Sequence, residues 1–311
     1  MTHVVTLIAH PQSLANGGLG EDALIRAQAA LPRASEPQWL DRGIAADIAF
    51  TPDADIDQRA VTDQRAVTDE LREILSGKTI DIVVQPVAHR RKMLLVADMD
   101  STMIGQECID ELADLVGLKA LVSGITERAM RGEIAFEPAL RERVALLKGL
   151  PVTVVGEVIE NRITLMPGAT LLVNTMRKHG AHACLVSGGF SLFTQVIGDM
   201  IGFDENHANT LLVEHGKLTG FVQEPILGRE AKLDTLLELA RHLQLPLSKT
   251  LAVGDGANDL AMIERAGLGV AYHAKPAVAA AAHARIDHGD LTALLYLQGY
   301  KREEFVDSFE G

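Results

Sequence analysis

From residue 93 onward, short apolar runs of strand length alternate with amphipathic helical stretches. No other feature limits the fold as much. A strand that returns through a helix re-enters the sheet from the same end, so its strands lie parallel and helices cover the faces. The expectation is an α/β domain with a doubly wound, mostly parallel sheet. Four runs define it. Residues 93–97 end at Asp98. Residues 183–186 end at Ser187. Residues 250–253 end at Gly254-Asp255. Residues 267–271 stop shortly before Lys275-Pro276. Functional groups collect at the carboxyl ends of parallel strands, so these four ends are where chemistry is expected.

The first and second runs are far apart in sequence. Between them, Ile109, Leu112, Ala113 and Val116 recur at helical spacing, and so do Leu140, Val144 and Leu147. Helical blocks inserted after a strand predict a cap over the sheet edge, at about residues 106–165. Residues 1–90 follow another rhythm. Residues 4–9, 46–50 and 80–87 read as strands, and 22–30 and 58–75 as helices, with no catalytic cluster among them. This small α/β module resembles, in its alternation of elements, the ACT-like regulatory modules attached to some amino-acid enzymes. A basic stretch, His89-Arg90-Arg91-Lys92, is the candidate linker to a second domain at 91–311. Within the first module, Asp57-Gln58-Arg59-Ala60-Val61-Thr62 is repeated at once as residues 63–68. Six residues is not a whole number of helical turns, so the copies face different sides. Two copies do not make a solenoid, and a tandem duplication in a tolerant surface helix explains them.

The formal net charge of -13 argues against nucleic acid or an anionic membrane as the main partner, since both need a basic surface. No basic segment followed by a long apolar one opens the chain, and no run reaches the length of a membrane span. The expected location is cytoplasmic. Cys108 and Cys184, both within apolar stretches and without metal-binding spacing, read as reduced buried thiols.

Three of the four strand ends carry groups suited to phosphoryl transfer. In Asp98-Met99-Asp100-Ser101-Thr102, residues i and i+2 of an extended chain point the same way, so two carboxylates converge. They repel unless a cation or a proton lies between them, and an oxygen-seeking Mg²⁺ resolves that conflict. One carboxylate then serves as nucleophile and the other as proton shuttle. Ser187-Gly188-Gly189 offers a hydroxyl, and glycines that let backbone amides approach an anion. Gly254-Asp255-Gly256-Ala257-Asn258-Asp259 adds two carboxylates and an amide on a glycine-rich turn: Asp255 to complete the metal shell, Asp259 to support it from behind, Asn258 to bond a phosphate oxygen. Lys232, at the start of an amphipathic helix, supplies the fixed positive charge that a dianionic phosphate needs. Taken singly, each signal also fits an ordinary polar turn or a solvated side chain. Their order along one chain is what makes them specific.

These four motifs resemble those of the haloacid-dehalogenase superfamily, and more closely the phosphoserine phosphatase family, over about residues 93–298. The cap adds to the likeness through Glu107, Met130-Arg131-Gly132-Glu133, Phe136-Glu137 and Leu140-Arg141-Glu142-Arg143-Val144. The resemblance implies a Rossmann-like core with a helical cap and Mg²⁺-dependent hydrolysis of L-phosphoserine, the last step of serine biosynthesis. It implies Asp98 as the residue phosphorylated in turnover and Asp100 as acid and base. It implies Mg²⁺ held by Asp98, the Asp100 backbone carbonyl and Asp255. Ser187, the Gly188 amide, Lys232 and Asn258 are implied to bind the phosphoryl group, and Glu107 and Arg143 to read the ammonium and carboxylate of the amino acid. Met130 and Phe136 are placed as an apolar lid. Met99 stands where many relatives have Phe. Alternative readings are a phosphatase for another small phosphomonoester, a transferase with homoserine as acceptor, and a non-catalytic phospho-ligand sensor. A regulatory role, or a homodimer formed through residues 1–90, is the expectation for the first module.

Overall fold

The computed structural model describes residues 1–16, 18–52 and 60–308. The first module runs β1 (His3–Ala9), α1 (Glu21–Ala30), β2 (Gln38–Asp41), β3 (Ala45–Phe50), α2 (Ala60–Ile74) and β4 (Ile80–Pro86). Its sheet is antiparallel in the order β2-β3-β1-β4, the split βαββαβ arrangement. Strand β2, Gln-Trp-Leu-Asp, was not expected, because one apolar pair between polar residues carries little period-two signal. Strand alternation sorts the module's side chains. Val5, Leu7, Ile48 and Val84 pack under α1 and α2 with Leu24, Leu71 and Leu75. Ile8, Ala45 and Val83 face the other way and join the large core of the second domain.

The stretch expected as a linker is therefore a clamp. Arg90 donates to Asp47 (2.8 Å), to the Thr6 hydroxyl (2.8 Å) and to the carbonyls of Tyr296 (2.9 Å) and Leu297 (2.6 Å). The Tyr296 hydroxyl donates to Asp41 at 2.7 Å. Asp81 accepts the backbone amides of Asp287 and Gly289 at 2.8 and 2.7 Å. Positive residues cluster here because carbonyls and a buried carboxylate need donors at the junction. Of the tandem repeat, residues 57–59 lie outside the described residues. In the second copy, Arg65 donates to the carbonyls of Ala281 and Ala282, so this copy touches the second domain and is not simply a surface duplication.

The second domain opens with β5 (Leu94–Ala97). The cap helices follow: α3 (Cys108–Asp114), α4 (Lys119–Met130), α5 (Phe136–Ala145) and α6 (Val154–Arg162). Entry and exit of this insert are tied together by an antiparallel bridge between Ile104 and Leu165, and by the Gly105 amide to the Thr164 carbonyl at 3.0 Å. The chain continues through α7 (Ala169–Lys178), β6 (His182–Phe190), α8 (Ser191–Ile201), β7 (Glu205–Asn209) and the hairpin β8 (Leu211–Glu214) and β9 (Lys217–Val222). It ends with α9 (Arg229–His242), β10 (Thr250–Gly254), α10 (Leu260–Arg265), β11 (Leu268–Tyr272), α11 (Pro276–Ala281), β12 (Ala284–Ile286) and α12 (Ala293–Leu297). The main sheet is parallel throughout, in the order β12-β11-β10-β5-β6-β7. The four runs read from the sequence are its four inner strands. Every residue of β5, β10 and β11 is buried, as expected for strands covered on both faces. The edge strand β7, Glu-Asn-His-Ala-Asn, escaped sequence reading because half its environment is solvent. Cys108 and Cys184 are free, buried thiols. Among the described residues, no helix is long and apolar enough to cross a membrane.

Candidate active site

The site grows from the carboxyl ends of β5, β6 and β10, which are neighbours in the sheet. After β5 the Asp98 amide still pairs with the Val253 carbonyl at 3.0 Å, which fixes Asp98 at the sheet edge. The chain then folds back sharply. The amides of Met103 and Ile104 both reach the Met99 carbonyl, and Ser101 takes a left-handed φ of 56°. A non-glycine residue in that region is strained, and such strain concentrates at functional sites. The turn places Asp100 beside Asp98 and aims Ser101 at Glu107, whose carboxylate accepts the Ser101 hydroxyl at 2.6 Å. Asp100 accepts the Cys108 amide at the start of α3 (3.0 Å) and the Ser187 hydroxyl (3.4 Å).

Lys232 sits in the first turn of α9 and is wholly buried. Its ammonium lies 2.6 Å from Asp98 Oδ1 and 2.7 Å from Asp259 Oδ1. Asp259 also accepts the Gly256 amide at 3.0 Å. A side chain at Gly254 would fall 2.4 Å from Asp259, so the turn after β10 needs glycine there to seat that carboxylate. Asp255 lies beside Thr102, whose hydroxyl is 3.4 Å from its Oδ1.

One cavity of about 280 Å³ gathers Asp98, Asp100, Glu107, Phe136, Arg143, Ser187, Gly188 and Asn258 in its wall. Lys232, Asp255 and Asp259 are buried next to Asp98, outside the cavity wall itself. The cap is closed over it. A Cβ added at Gly188 would meet the Phe136 ring at 2.7 Å, and one at Gly189 would meet Asp100 at 2.8 Å. At either position a larger residue would make Phe136 or Asp100 shift, because both side chains approach the backbone so closely. The lid expectation also named Met130. It closes α4, and the position of its side chain lies outside what is described.

Burial sets the electrostatics. It pushes the Asp98 carboxyl well above its ordinary value, Asp259 and Asp100 add to the rise, and Lys232 opposes it. Asp255 is raised well above its usual range by burial, then by Asp259 and Asp98. Asp100 is raised by burial against the pull of its Cys108 and Ser187 hydrogen bonds. Burial works against the Lys232 charge, but Asp259 and Asp98 outweigh it and hold the ammonium. Four carboxyl groups, Asp98, Asp100, Asp255 and Asp259, thus gather in one site where Lys232 pairs with only two of them. Oxygens of Asp98, Asp255 and Asp259 lie within 4.8 Å of one another. An all-carboxylate donor set with excess negative charge fits a hard divalent cation. Asp259 lies in this cluster and also grips Lys232.

At the far end of the cavity, burial and the charge of Asp100 push Glu107 well up. Arg143 is only 5% exposed. It donates to the Ala139 carbonyl (3.1 Å) and the Thr126 hydroxyl (2.9 Å), and among the described residues it has no carboxylate partner. Thr126 in turn donates to Asp110 at 2.8 Å. Sequence reasoning missed Thr126 and Arg229, which also line the cavity. It missed Asn209 as well, whose amide donates to the carbonyls of Gly188 (2.9 Å) and Leu227 (3.0 Å) while its oxygen accepts the Leu227 amide (2.7 Å). An Asn closing a polar edge strand carries no local signal of that role.

Residues 95–264 match the family model of the haloacid dehalogenase-like hydrolases, and the chain belongs to that class. Its likeness is narrower than the class. It is 46% identical to a phosphoserine phosphatase of Archaeoglobus fulgidus over 69% of this chain and 63% of that one, and 45% identical to one of Polaromonas sp. over 72% and 98%. A phosphoserine phosphatase solved as a phospho-aspartyl intermediate analogue superposes with a TM-score of 0.63 at 40% identity, covering 66% of this chain and 98% of that one. A haloacid dehalogenase family hydrolase of Salmonella enterica serovar Typhi superposes over 95% of this chain and 98% of its own at a TM-score of 0.79 and 28% identity, so the first module recurs there too. The chain is a member of the phosphoserine phosphatase family. It spans just under two thirds of the longer Archaeoglobus relative and nearly all of the Polaromonas one.

Proposed function

We propose that this chain hydrolyses L-phosphoserine to L-serine and phosphate, the last step of serine biosynthesis, in the cytoplasm. The observation that carries the substrate is the pair Glu107 and Arg143. Both line one cavity wall with Asp98, Arg143 buried and Glu107 half-buried, and among the described residues neither sits within ion-pair distance of an opposite charge, the charge of Glu107 acting on Arg143 only from farther off. Two opposite charges held apart in a poorly solvated wall are incompletely paired, and a ligand that bridges them completes both. A zwitterionic amino acid does so, its ammonium on Glu107 and its carboxylate on Arg143.

The mechanism follows from positions. An Asp98 oxygen attacks phosphorus in line as the bond from phosphorus to the serine oxygen breaks. Lys232, 2.6 Å away, opposes the rise that burial imposes on the nucleophile and favours its ionised form. Asp100, whose carboxyl is held above its ordinary value by burial, carries the proton that the leaving serine oxygen takes up. In the second half, the ionised Asp100 takes a proton from water as that water attacks phosphorus. The bond to Asp98 then breaks, phosphate leaves, and both carboxyl groups are restored. Ser187, the Gly188 amide, Asn258 and Lys232 bind the phosphoryl oxygens. Phe136 excludes bulk water in the first half. Asp98, the Asp100 carbonyl and Asp255 would hold Mg²⁺, with Asp259 anchoring Lys232 beside them. When bound, the ion screens the phosphate's charge from the attacking carboxylate.

The first module we read as regulatory or dimerising. Light scattering on the full chain, with and without serine, tests that reading, and an unchanged monomer with unchanged kinetics would end it. The main reading is tested by phosphate release from a panel of phosphomonoesters with Mg²⁺. Asp98→Asn should be folded and inactive, and Arg143→Ala should lose L-phosphoserine selectively. Equal turnover of phosphoserine and a phosphomonoester without amino or carboxyl groups would sink the substrate assignment.

A further inference from the structure

The open face of the sheet edge carries a second set of metal-type donors that phosphoryl transfer does not use. Strands β6 and β7 run parallel, with Cys184 opposite Glu205 and Val186 opposite His207. His182 and Cys184 are two apart on β6, and Glu205 and His207 are two apart on β7. Residues two apart share a face of the sheet, and paired residues share it across strands. Four ligand-type side chains, His182, Cys184, Glu205 and His207, therefore project together. The sulfur of Cys184, a carboxylate oxygen of Glu205 and a ring nitrogen of His207 already lie within 4.8 Å of one another. His182 Nε2 stands 2.6 Å from Glu205 Oε1, and His207 Nε2 3.1 Å from Glu205 Oε2.

The surroundings have the form that metal-binding histidines need. The other ring nitrogen of His182 faces Asp204 Oδ2 at 3.5 Å, and Asp204 is fixed by Arg177 (2.7 Å) and the Ala183 amide (2.8 Å). A carboxylate behind the ring sets the tautomer and the aim of a ligating imidazole. Cys184 closes the inner side, fully buried, and among the described residues its thiol donates to the Leu185 carbonyl at 3.8 Å. The two histidines and Glu205 are partly exposed, which leaves a path from solvent. The cluster lies toward the start of β6, while Asp98 and Ser187 gather at the opposite, carboxyl ends of the strands.

We propose that His182, Cys184, Glu205 and His207 form a binding site for a borderline-soft divalent ion of the Zn²⁺ class, separate from the acidic cluster at Asp98. The donor types select the ion. Thiolate and imidazole favour Zn²⁺ over Mg²⁺, which takes oxygen. Tetrahedral donors of such an ion stand ~3.5 Å apart, so small side-chain rotations bring these together. On binding, the Cys184 proton leaves to solvent, the Nε2 protons that the imidazoles donate to Glu205 move to Nδ1 or leave to solvent, and Glu205 exchanges its bonds with the imidazoles for the ion. The ion then bridges β6 to β7, an edge strand paired on one side only.

The test is a Co²⁺ titration of the whole protein in excess Mg²⁺, which occupies the acidic cluster. The expected result is one Co²⁺ per chain with an intense thiolate-to-cobalt charge-transfer band and tetrahedral visible bands, discharged by Zn²⁺. Cys184→Ser should lose the charge-transfer band, and the more exposed His207→Ala and Glu205→Gln should weaken binding at least tenfold. Asp255→Asn should retain the band. A missing band in the wild type overturns the proposal. So does a band that persists in His207→Ala and Glu205→Gln at unchanged affinity, or one that disappears in Asp255→Asn, since it would then belong to Cys108 beside Asp100.

Discussion

Replacing Gly188 with Ala tests how the cap controls chemistry. The new methyl would stand 2.7 Å from Phe136 Cζ and 3.1 Å from Cε2. Carbon atoms at rest stay about 3.5–4.0 Å apart, so the ring has to withdraw by roughly 1 Å. Overpacking of this kind costs about 1–3 kcal/mol. The strain falls on the closed state of the lid, because Phe136 belongs to α5 of the cap and Gly188 to the sheet. The amide of residue 188 is kept, so phosphate still has its donor. At about 1.4 kcal/mol per factor of ten, kcat/KM for L-phosphoserine should fall about 10- to 100-fold. Phe136→Ala removes the obstacle and should cause a loss of its own by opening the cavity to water. In the double variant the two losses should not multiply, and the coupling should reach about 1 kcal/mol or more. The assay is phosphate release at saturating Mg²⁺, with circular dichroism to show that each variant is folded. Losses that multiply in the double variant would refute the argument that Gly188 is needed for lid closure.

Asn209→Ala strips partners from the carbonyls of Gly188 and Leu227 and from the Leu227 amide. We expect about 2–4 kcal/mol less stability in urea and a raised KM, and a variant as stable as the parent would contradict it. Arg90→Ala leaves Asp47 without its cation at the junction of the two domains, both groups being 13% exposed. It should cost about 3–5 kcal/mol, and Lys at 90 should not rescue it, since one ammonium cannot reach all the acceptors. For pH, the sign follows from Asp98 and Asp255, both raised by burial and then by neighbouring carboxylates. A raised acid retains in the fold a proton that the unfolded chain loses above about pH 4. Its contribution is complete below that pH and is lost as pH rises through the folded value. In EDTA the melting temperature should therefore fall between pH 5.5 and 8, and Mg²⁺ should raise it more at pH 8. An equal Mg²⁺ effect at both values would count against a site poor in positive charge.

The sequence by itself determined the inner sheet and its reactive ends. Strands β5, β6, β10 and β11 are buried on both faces, so their residues had to be apolar and their runs stood out. Asp98, Asp100, Ser187, Lys232, Asp255 and Asp259 stood out because each follows such a run or opens a helix. Where an element is half in water, that signal fades, and β2 and β7 went unread together with Asn209. Only the tertiary structure decided the rest. It turned a basic linker into a clamp, because Arg90 finds its acceptors some forty and two hundred residues away. It set Phe136 upon Gly188, a contact between the cap and the sheet that no local pattern encodes. Above all it left Arg143 buried without a carboxylate, facing the cavity that holds Asp98. A charge on a helix is ordinary in a sequence. Its removal from water, and its lack of a carboxylate within ion-pair distance, depend on everything packed around it.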